Sequence, residues 1–360
     1  MIPEPDLPAS IPVTKGERLG VAMESGAPVV YVESRKMNQR KRTVIEILRE
    51  SPDFVSGEAI SQTLGVSRNA VHKHVNSLRK RGYDIVGVSR RGYKLEDEPC
   101  RLSMPLITER TERSMFGRSF RYHDEIESTN IEAKNLAGAG APEGTVVVAE
   151  SQSAGRGRLG RRWTSPAGKG LLFSVLLRPP VSMADVHLLT IVAATAACDA
   201  IESLVPVRMR IKWPNDLFVD DRKVGGILLE VAGEQDAIDW VVVGLGLNVN
   251  TEYGELPVAL RRTAVSLKVA SGQPVDRSEL LARLLLSLEE TYLDVVRNGF
   301  AGVLARFRER DYLLRRCVSV ETRRGPVVGE AAGIDERGAL LVQLPHRHMQ
   351  RFHSGEVTLR

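Results

Sequence analysis

The segment from Ser153 to Trp163 reads SAGRGRLGRRW and follows directly on an apolar, strand-like run. Glycine lets the backbone approach a ligand closely, and arginine presents a planar fork of donors that matches phosphate or carboxylate. The segment lacks the Gly-Lys-Ser/Thr of a P-loop and does not open a helix as a dinucleotide fingerprint does. Its spacing predicts an anion-binding loop, although a flexible surface loop can carry the same residues.

The distribution of charge bears on this interpretation. The 360-residue chain carries a net charge of +5, but residues 35–95 hold fourteen Lys/Arg against five Asp/Glu, which leaves −4 for the remainder. The SAGRGRLGRRW segment lies in that acidic remainder, between two predicted strands, so it is not typical of a nucleic-acid-binding tail. The basic excess in residues 35–95 instead predicts a polyanionic partner for that region alone.

Four further motifs accompany the arginine segment, one before it and three after it. They are STN at 128–130, KWPND at 212–216, DRKVGGILLE at 221–230 and GLGLNVN at 244–250. Together with GRGR, these motifs resemble the biotin–protein ligase family. With the DNA-binding pattern described below, residues 37–360 are similar to its bifunctional bacterial form, which is also the biotin operon repressor.

The resemblance implies a two-step reaction. Biotin first joins ATP to give biotinyl-5'-AMP and pyrophosphate, and biotin then passes to a lysine of a biotin carboxyl carrier protein. Because a carboxylate is already ionised at neutral pH, the first step needs no general base. The obstacle is to bring two anions together, so cations, backbone dipoles and the Mg²⁺ that accompanies ATP are expected to do most of the work.

Transferred position by position, the family pattern assigns candidate residues to each part of the ligand. Contacts to biotin are expected from Ser128, Thr129, Asn130, Gln152, Arg156, Gly157, Arg158 and Lys223. Contacts to the nucleotide are expected from Lys212, Asn215, Gly244, Gly246 and Asn248, with Asp216 as the candidate metal ligand. The residues expected to act in catalysis are Arg156, Arg158, Lys223 and Lys212.

Some of these residues also have an ordinary structural interpretation. The tetrapeptide WPND is more often a turn than a metal site, and a lysine beside Asp-Asp-Arg, such as Lys223, is usually a solvated hairpin residue. A GxG after a strand, as at Gly244, is weak evidence for a nucleotide. Trp163 is expected to pack rather than react, and Leu159 stands where the family often has a basic residue, which removes one expected phosphate contact.

A winged helix-turn-helix domain is predicted over residues 37–98. Apolar residues recur at helical spacing in three short segments, with Gly65 as the turn before the third helix and Ser67 as its N-cap. The sequence DIVGVSRRGYKL then predicts a β-hairpin with Gly92 at its tip. A basic third helix beside a basic hairpin favours DNA binding, and a three-helix protein-interaction module is the alternative.

The third helix and the hairpin supply the candidate DNA contacts. They are Ser67, Arg68, Asn69, His72, Lys73, Asn76, Arg90 and Arg91. His72 and His74 stand two positions apart and face different sides of a helix, so a metal site is not favoured. The resemblance implies that a homodimer binds operator DNA and that biotinyl-5'-AMP is the corepressor.

The predicted fold class is an α+β multidomain protein. A central mixed α/β ligase domain of the biotin/lipoate ligase type is expected at 105–312 and a small SH3-like β-barrel at 315–360. Residues 1–36 contain several prolines and no sustained period, which predicts a disordered extension. Met37, just ahead of the first periodic helix, is an alternative start codon.

Composition also restricts the cellular setting. The three cysteines are widely spaced, so neither a disulfide framework nor a zinc site is predicted. The uncharged apolar run from Leu188 to Cys198 is shorter than the roughly 20 residues that span a bilayer. We expect a soluble, cytoplasmic protein with no membrane partner.

Two other functions have to be considered. A lipoate or octanoate ligase of related fold is disfavoured, because such enzymes usually show an Arg-Arg…Gly-Gly-Gly…His-Asp pattern that is absent here. A transcription factor whose enzyme domain senses ligand without catalysis is disfavoured because the charged groups that the reaction needs are all present.

Overall fold

The computed structural model describes residues 17–24, 27–34, 39–80, 83–97, 101–234, 237–322, 324–345 and 348–360. Met37 lies outside these residues. The helices are α1 (Gln39–Glu50), α2 (Gly57–Leu64), α3 (Arg68–Lys80), α4 (Met104–Arg110), α5 (Thr129–Gly138), α6 (Leu189–Leu204), α7 (Leu267–Ser271), α8 (Arg277–Asn298) and α9 (Ala301–Glu309).

The strands fall into three sheets within the described chain. They are β1 (Glu17–Glu24), β2 (Ala27–Ser34), β3 (Asp84–Val88), β4 (Gly92–Asp97), β5 (Ser119–His123), β6 (Thr145–Ala149), β7 (Gly170–Leu177), β8 (Met209–Lys212), β9 (Asp216–Val219), β10 (Arg222–Glu234), β11 (Ala237–Asn248), β12 (Cys317–Thr322), β13 (Gly325–Ile334), β14 (Leu340–Gln343), β15 (Met349–Phe352) and β16 (Glu356–Leu359).

The helix-turn-helix prediction is confirmed in its local detail. Ser56 Oγ accepts a hydrogen bond from Ala59 N at 3.0 Å and caps α2. Gly65 ends that helix in the left-handed region at φ 62°, which glycine enters without steric cost. Ser67 Oγ then accepts from Ala70 N at 3.2 Å and caps α3, so Gly65 and Ser67 have the turn and N-cap roles predicted for them.

The hairpin β3–β4 differs from the prediction at its tip. The turn is formed by residues 89–91, and Gly92 instead opens β4 at φ 108°. A side chain at position 92 would overlap the carbonyl of Val55, because Tyr93 and Val55 pair backbone to backbone there. The glycine is therefore needed for close approach to the helical part of the domain and not for the turn.

A mixed sheet forms the centre of the molecule. Its strand order over the described residues is β1-β2-β5-β6-β7-β11-β10-β9-β8. Strands β2, β5 and β6 run parallel to their neighbours in that group, and the remaining pairs are antiparallel. Strands β6 and β7 are buried along their whole length, which explains their uninterrupted apolar sequences.

Helices cover both faces of this sheet. Helix α5 contacts β6, β7 and β11 on one face, whereas α6 and α8 pack on the other with α4 and α9 around them. The larger core lies beneath α6 and α8, and a smaller one lies beneath α5. The segment Val186–Leu204 is long and apolar enough to span a membrane by length and composition, but 72% of it is buried inside the protein.

Residues 17–24 and 27–34 depart from the predicted disordered extension. They form strands β1 and β2, which pair antiparallel, and β2 adds in parallel to β5 at the edge of the central sheet. The run VVYVES is rich in β-branched and aromatic residues, which favour strands. The sequence of these strands shows no sustained alternation of apolar and polar residues. A strand near a sheet edge can be held by backbone pairing and need not present an alternating apolar face.

The C-terminal region folds into a separate antiparallel sheet. Its order across the described residues is β15-β14-β13-β12-β16. It docks on the central domain through Trp213, whose Nε1 donates to Gly338 O at 2.9 Å. This docking places β16 beside the arginine loop of the central domain.

Candidate active site

A cavity of about 380 Å³ lies over the central sheet, within the size range of small-molecule sites. Its walls come from six parts of the chain. These are the start of α5, the loop that follows β6, the segments on either side of β9, the end of β11, residues 256–264, and the start of β16.

The floor of the cavity is polar and buried. Thr129 donates to Gln152 Oε1 from its backbone N at 2.7 Å and from its hydroxyl at 3.2 Å. Ser128 occupies the N-cap position of α5 but its side chain makes no capping bond to that helix. The Ser128 hydroxyl lines the cavity beside the positive end of the helix dipole. This position suits a polar ligand.

Asn130 is held on both sides of its amide. The Ser174 hydroxyl lies 2.6 Å from Asn130 Oδ1 and 2.8 Å from Thr129 Oγ1. Asn130 Nδ2 donates to Glu230 Oε2 at 2.8 Å, and Lys134 Nζ donates to Glu230 Oε1 at 2.6 Å. Because both ends of the amide are engaged, Asn130 is rigidly oriented.

The charge of Glu230 is supported by its neighbours. Burial alone would raise the pKa of Glu230, but hydrogen bonds from Lys134 and Asn130 and the charge of Arg156 bring it below its ordinary value. The carboxylate is therefore ionised at neutral pH, and Asn130 meets a charged acceptor.

The arginine segment forms a compact turn. Gly157 N donates to Arg161 O at 2.8 Å, and Trp163 N donates to Gly155 O at 2.9 Å. Leu159 adopts a left-handed conformation at φ 56°, and its side chain is 75% exposed. Such a conformation is strained for a leucine, so the tip of the turn is held by its flanks and not by Leu159.

Arg158 joins the loop to the KWPND motif. Its Nη1 donates to Asn215 Oδ1 at 2.8 Å. Burial lowers the pKa of Arg158, and Asp216 partly offsets that effect. The guanidinium thus faces the cavity as a partly desolvated cation, where its interaction with an anion is stronger than in water.

Two lysines complete the basic wall. Lys223 Nζ lies 2.6 Å from Asp216 Oδ1 and 5.8 Å from the centroid of the Trp163 ring. Burial lowers the pKa of Lys212, and the charge of Lys223 adds to that effect while Asp216 opposes it. Three cations thus converge with one carboxylate between them, an arrangement that suits a bound polyanion.

The donor set can accept a magnesium ion brought by a nucleotide. Among the described residues no group of three or more His, Cys, Asp or Glu side chains is clustered as for a resident metal. Mg²⁺ is usually held by one or two carboxylates together with substrate phosphates and water. Asp216 and the neighbouring amide oxygen of Asn215 fit that requirement.

The two glycines of the GLG sequence are required by close packing. A Cβ at Gly244 would overlap Asn130 Oδ1, and a Cβ at Gly246 would lie 2.7 Å from Trp163 Cε2. Asn248 is buried and donates to Val265 O at 3.3 Å. The glycines let Asn130 and Trp163 pack closely against β11. Contact of Gly244, Gly246 and Asn248 with a nucleotide stays a prediction.

The predicted DNA-contacting residues occupy one side of the N-terminal domain. Ser67, Arg68, Asn69, His72 and Lys73 are exposed. Arg90 stands at the tip of the hairpin at φ 67°, and Arg91 stacks over the Phe54 ring at 4.3 Å and pairs with Asp53 at 3.3 Å.

Two residues of that side also bind within the domain. His72 Nδ1 lies 3.1 Å from the Tyr93 hydroxyl, and His72 Nε2 lies 3.0 Å from Asn76 Nδ2. Arg79 donates to Asn76 Oδ1 at 3.3 Å and to Ile85 O at 2.6 Å. These bonds fasten α3 to the hairpin, so His72 and Asn76 have a structural role whether or not they contact DNA.

Comparison with known proteins identifies the family. Residues 122–248 match the biotin/lipoate A/B protein ligase family, 40–94 an HTH domain and 316–360 the biotin protein ligase C terminal domain. The bifunctional ligase/repressor BirA of Bacillus subtilis strain 168 is 36% identical over 89% of this chain and 98% of its own length. The chain belongs to the biotin protein ligase family.

Further members of that family are similar over comparable lengths. The BirA of Escherichia coli strain K12 is 33% identical over 86% of this chain and 94% of its own length. The biotin protein ligase from Aquifex aeolicus, solved in complex with biotin and ATP, is 29% identical with a TM-score of 0.59 over 67% of this chain and 98% of that protein.

Several residues of the ligase site were not predicted from the sequence. Ser174 of β7 and Glu230 of β10 hold the amide of Asn130. Both lie inside apolar strand sequences, where single polar residues give no signal of their own. Gly355 and Glu356, at the start of β16, line the cavity and were not predicted either. Arg158 Nη2 lies 3.4 Å from Gly355 O, and Arg161 pairs with Glu356.

Proposed function

We propose that this ligase activates biotin with ATP to form biotinyl-5'-AMP and then transfers biotin to a specific lysine of a biotin carboxyl carrier protein. The observation that carries the proposal is the meeting of a polar, buried floor with a basic wall in one cavity. The floor suits a neutral polar ring, and the wall suits a carboxylate beside a triphosphate. The family membership supports the same assignment.

The first step follows from the charges in the cavity. A biotin carboxylate oxygen attacks the α-phosphorus of ATP, the bond to the β-phosphate oxygen breaks, and pyrophosphate leaves with the electron pair. Arg158, Lys212 and Lys223 offset the repulsion between the two anions, and their positions are fixed before reaction. Asn215 holds Arg158 in that position.

The parts of the ligand are proposed to contact the groups as predicted. Biotin's ring contacts Ser128, Thr129, Asn130 and Gln152. The reacting carboxylate and phosphate contact Arg156, Gly157, Arg158 and Lys223. The nucleotide contacts Lys212, Asn215, Gly244, Gly246 and Asn248.

Magnesium is proposed to enter with the nucleotide. The ion supplies charge neutralisation on the phosphate oxygens. Asp216 is the residue proposed to hold it, with Asn215 beside it. Lys223, which pairs with Asp216, is the cation proposed to contact the reacting carboxylate beside it.

In the second step the acceptor lysine amine attacks the carbonyl carbon of the mixed anhydride. The bond to the phosphate oxygen breaks, AMP leaves, and the amine proton is released. Water must be excluded until the acceptor arrives, since the anhydride hydrolyses. The turn at residues 155–163, held to β16 through Arg161, is placed to cover the reacting atoms.

The DNA-binding domain supports a second activity of the same chain. We propose that the form carrying biotinyl-5'-AMP binds operator DNA as a homodimer and represses biotin-synthesis genes, with α3 in the major groove and Arg90 near the backbone. The proposed boundaries are 37–98, 105–312 and 315–360. A cytoplasmic setting without a membrane partner fits both substrates.

Incubation with radiolabelled biotin, MgATP and a biotin carboxyl carrier domain tests the ligase proposal. Label is expected on the carrier domain only when ATP is present. A parallel reaction contains radiolabelled lipoate instead of biotin, and transfer of lipoate alone would favour a lipoate ligase. Binding of biotin without transfer of label would favour a sensor with an inactive enzyme domain.

A further inference from the structure

The chain passes from the DNA-binding domain into the ligase domain through Arg101 and Leu102, which we call the hinge. Arg101 Nη2 donates to the hydroxyl of Tyr83, in the DNA-binding domain, at 3.3 Å. Arg101 Nη1 lies 3.0 Å from Asp124 Oδ1, in the ligase domain. One guanidinium therefore touches both domains at the point where they are joined.

The hinge is also fixed through its backbone. Leu102 N donates to Glu150 Oε1 at 2.7 Å. The same carboxylate accepts from the Tyr122 hydroxyl at 2.7 Å and from Arg277 Nη1 at 2.9 Å. Glu150 is only 6% exposed and Arg277 only 3%, so this anchor belongs to the rigid core of the ligase domain.

Both acidic anchors of the hinge begin segments that form the floor of the cavity. Asp124 lies four residues before Ser128, and Glu150 lies two residues before Gln152. The two segments are bound to each other, with Ser151 Oγ donating to Asp124 O at 3.1 Å and Ile126 N donating to Ser151 O at 3.2 Å. A shift of the 124–130 segment would therefore move Asp124 and change its contact with Arg101.

We propose that the hinge transmits occupancy of the biotin site to the DNA-binding domain, with Arg101 as the positioning residue. A ligand changes the orientation of a domain only through contacts that differ between the free and bound states. Biotin contacts at Ser128 and Thr129 restrict the 124–130 segment and with it Asp124, which then holds Arg101 against Tyr83. The buried Glu150 holds Leu102 in both states. The inference rests on the proposed function, because it takes biotin and ATP as the ligands of the cavity.

The variant Arg101→Ala removes both side-chain contacts of the hinge and leaves the cavity intact. Arg110→Ala is the matched control, since Arg110 pairs with Glu279 at 3.2 Å within the ligase domain alone. Tyr83→Phe deletes only one hydroxyl and provides a second test that leaves the fold undisturbed.

The readout is the distance between two spin labels, one at Val86→Cys in the hairpin and one at the exposed Cys317, in a background carrying Cys100→Ser. Both Val86 and Cys317 are exposed, whereas Cys198 is buried. We expect the distance distribution to narrow when biotin and MgATP are added to the parent protein and to Arg110→Ala. In Arg101→Ala the distribution stays broad, and in Tyr83→Phe the narrowing is reduced.

Pyrophosphate release is measured on the same samples. Equal release in all variants, with narrowing lost only in Arg101→Ala and reduced in Tyr83→Phe, supports the hinge. Normal release with the same narrowing in Arg101→Ala as in the parent, or with no narrowing in the parent, overturns it. Absence of release in the parent overturns the proposed function instead.

Discussion

Arg158 illustrates how a single side chain is prepared for its task. It is bound to Asn215 at 2.8 Å across 57 positions of sequence and is partly desolvated beside Asp216. A guanidinium held in this way meets an anion without further reorganisation. The residue is therefore expected to matter more for holding the adenylate than for contacting free biotin.

Replacement of Arg158 tests that expectation. We predict that Arg158→Gly still makes biotinyl-5'-AMP but releases it, because the cavity loses a cation and the loop loses its bond to Asn215. Bystander proteins such as serum albumin should then become biotinylated on a streptavidin blot. Strict selectivity for the carrier domain together with slow release of the intermediate would show that the loop does not retain the adenylate.

Lys212 gives a prediction about pH. Burial places the pKa of Lys212 below its ordinary value of 10.5, so the ammonium loses its proton earlier than a free lysine as the pH rises. We expect kcat/KM for ATP to fall through that lowered pKa, since this parameter reports the free enzyme. In Lys212→Arg the charge persists and the fall should move to higher pH; an identical profile would exclude Lys212 as the titrating group.

At the scale of elements, the motifs and the packing were predictable to different degrees. Regular helices and the buried strands follow from apolar periodicity, and the family pattern brought GRGR and KWPND together as the structure does. The pairing of β2 with β5 and the docking of β16 did not follow, because both join elements separated by whole domains. The contacts of Ser174 and Glu230 with Asn130 could not be predicted, because they depend on strand register, which the sequence alone leaves open.

A buried ion pair joins the end of β6 to the start of α8 and is expected to contribute to stability. Glu150 and Arg277 form a buried ion pair, with side chains 8% and 2% exposed. Removal of one partner leaves an uncompensated buried charge, so Glu150→Ala is expected to lower the free energy of unfolding by about 3–5 kcal/mol. Glu150→Gln should cost less, because its amide oxygen still accepts a hydrogen bond.

Urea unfolding followed by tryptophan fluorescence measures this effect. The ion pair of the exposed Arg283 with the half-buried Glu279 offers a control, and Arg283→Ala should change the stability by less than about 1 kcal/mol. Equal losses for Glu150→Ala and Arg283→Ala would show that the buried anchor is not special.

The whole molecule combines a basic DNA-binding domain with an otherwise acidic chain. Residues 35–95 carry the positive excess, and Lys73 of α3 and Arg90 of the hairpin are among its exposed cations. Association with DNA is therefore expected to release counterions and to weaken steeply as salt is raised.

Operator binding should depend on the ligase ligands. We predict that DNA affinity rises with biotin plus ATP, because the adenylate favours the dimer that spans two half-sites. A filter-binding series on the biotin-gene promoter of the same organism, at several salt concentrations, measures both effects. Affinity that is independent of the adenylate would remove the repressor assignment and leave the ligase assignment in place.

The ligase assignment rests on the cavity that joins Arg158, Lys212 and Lys223 to a polar floor. Pyrophosphate release tests that assignment most directly. Purified protein supplied with biotin and MgATP, without any carrier domain, is expected to release pyrophosphate in a burst of one equivalent per active site, because the adenylate stays bound. No release above that seen without biotin would contradict the assignment of the cavity.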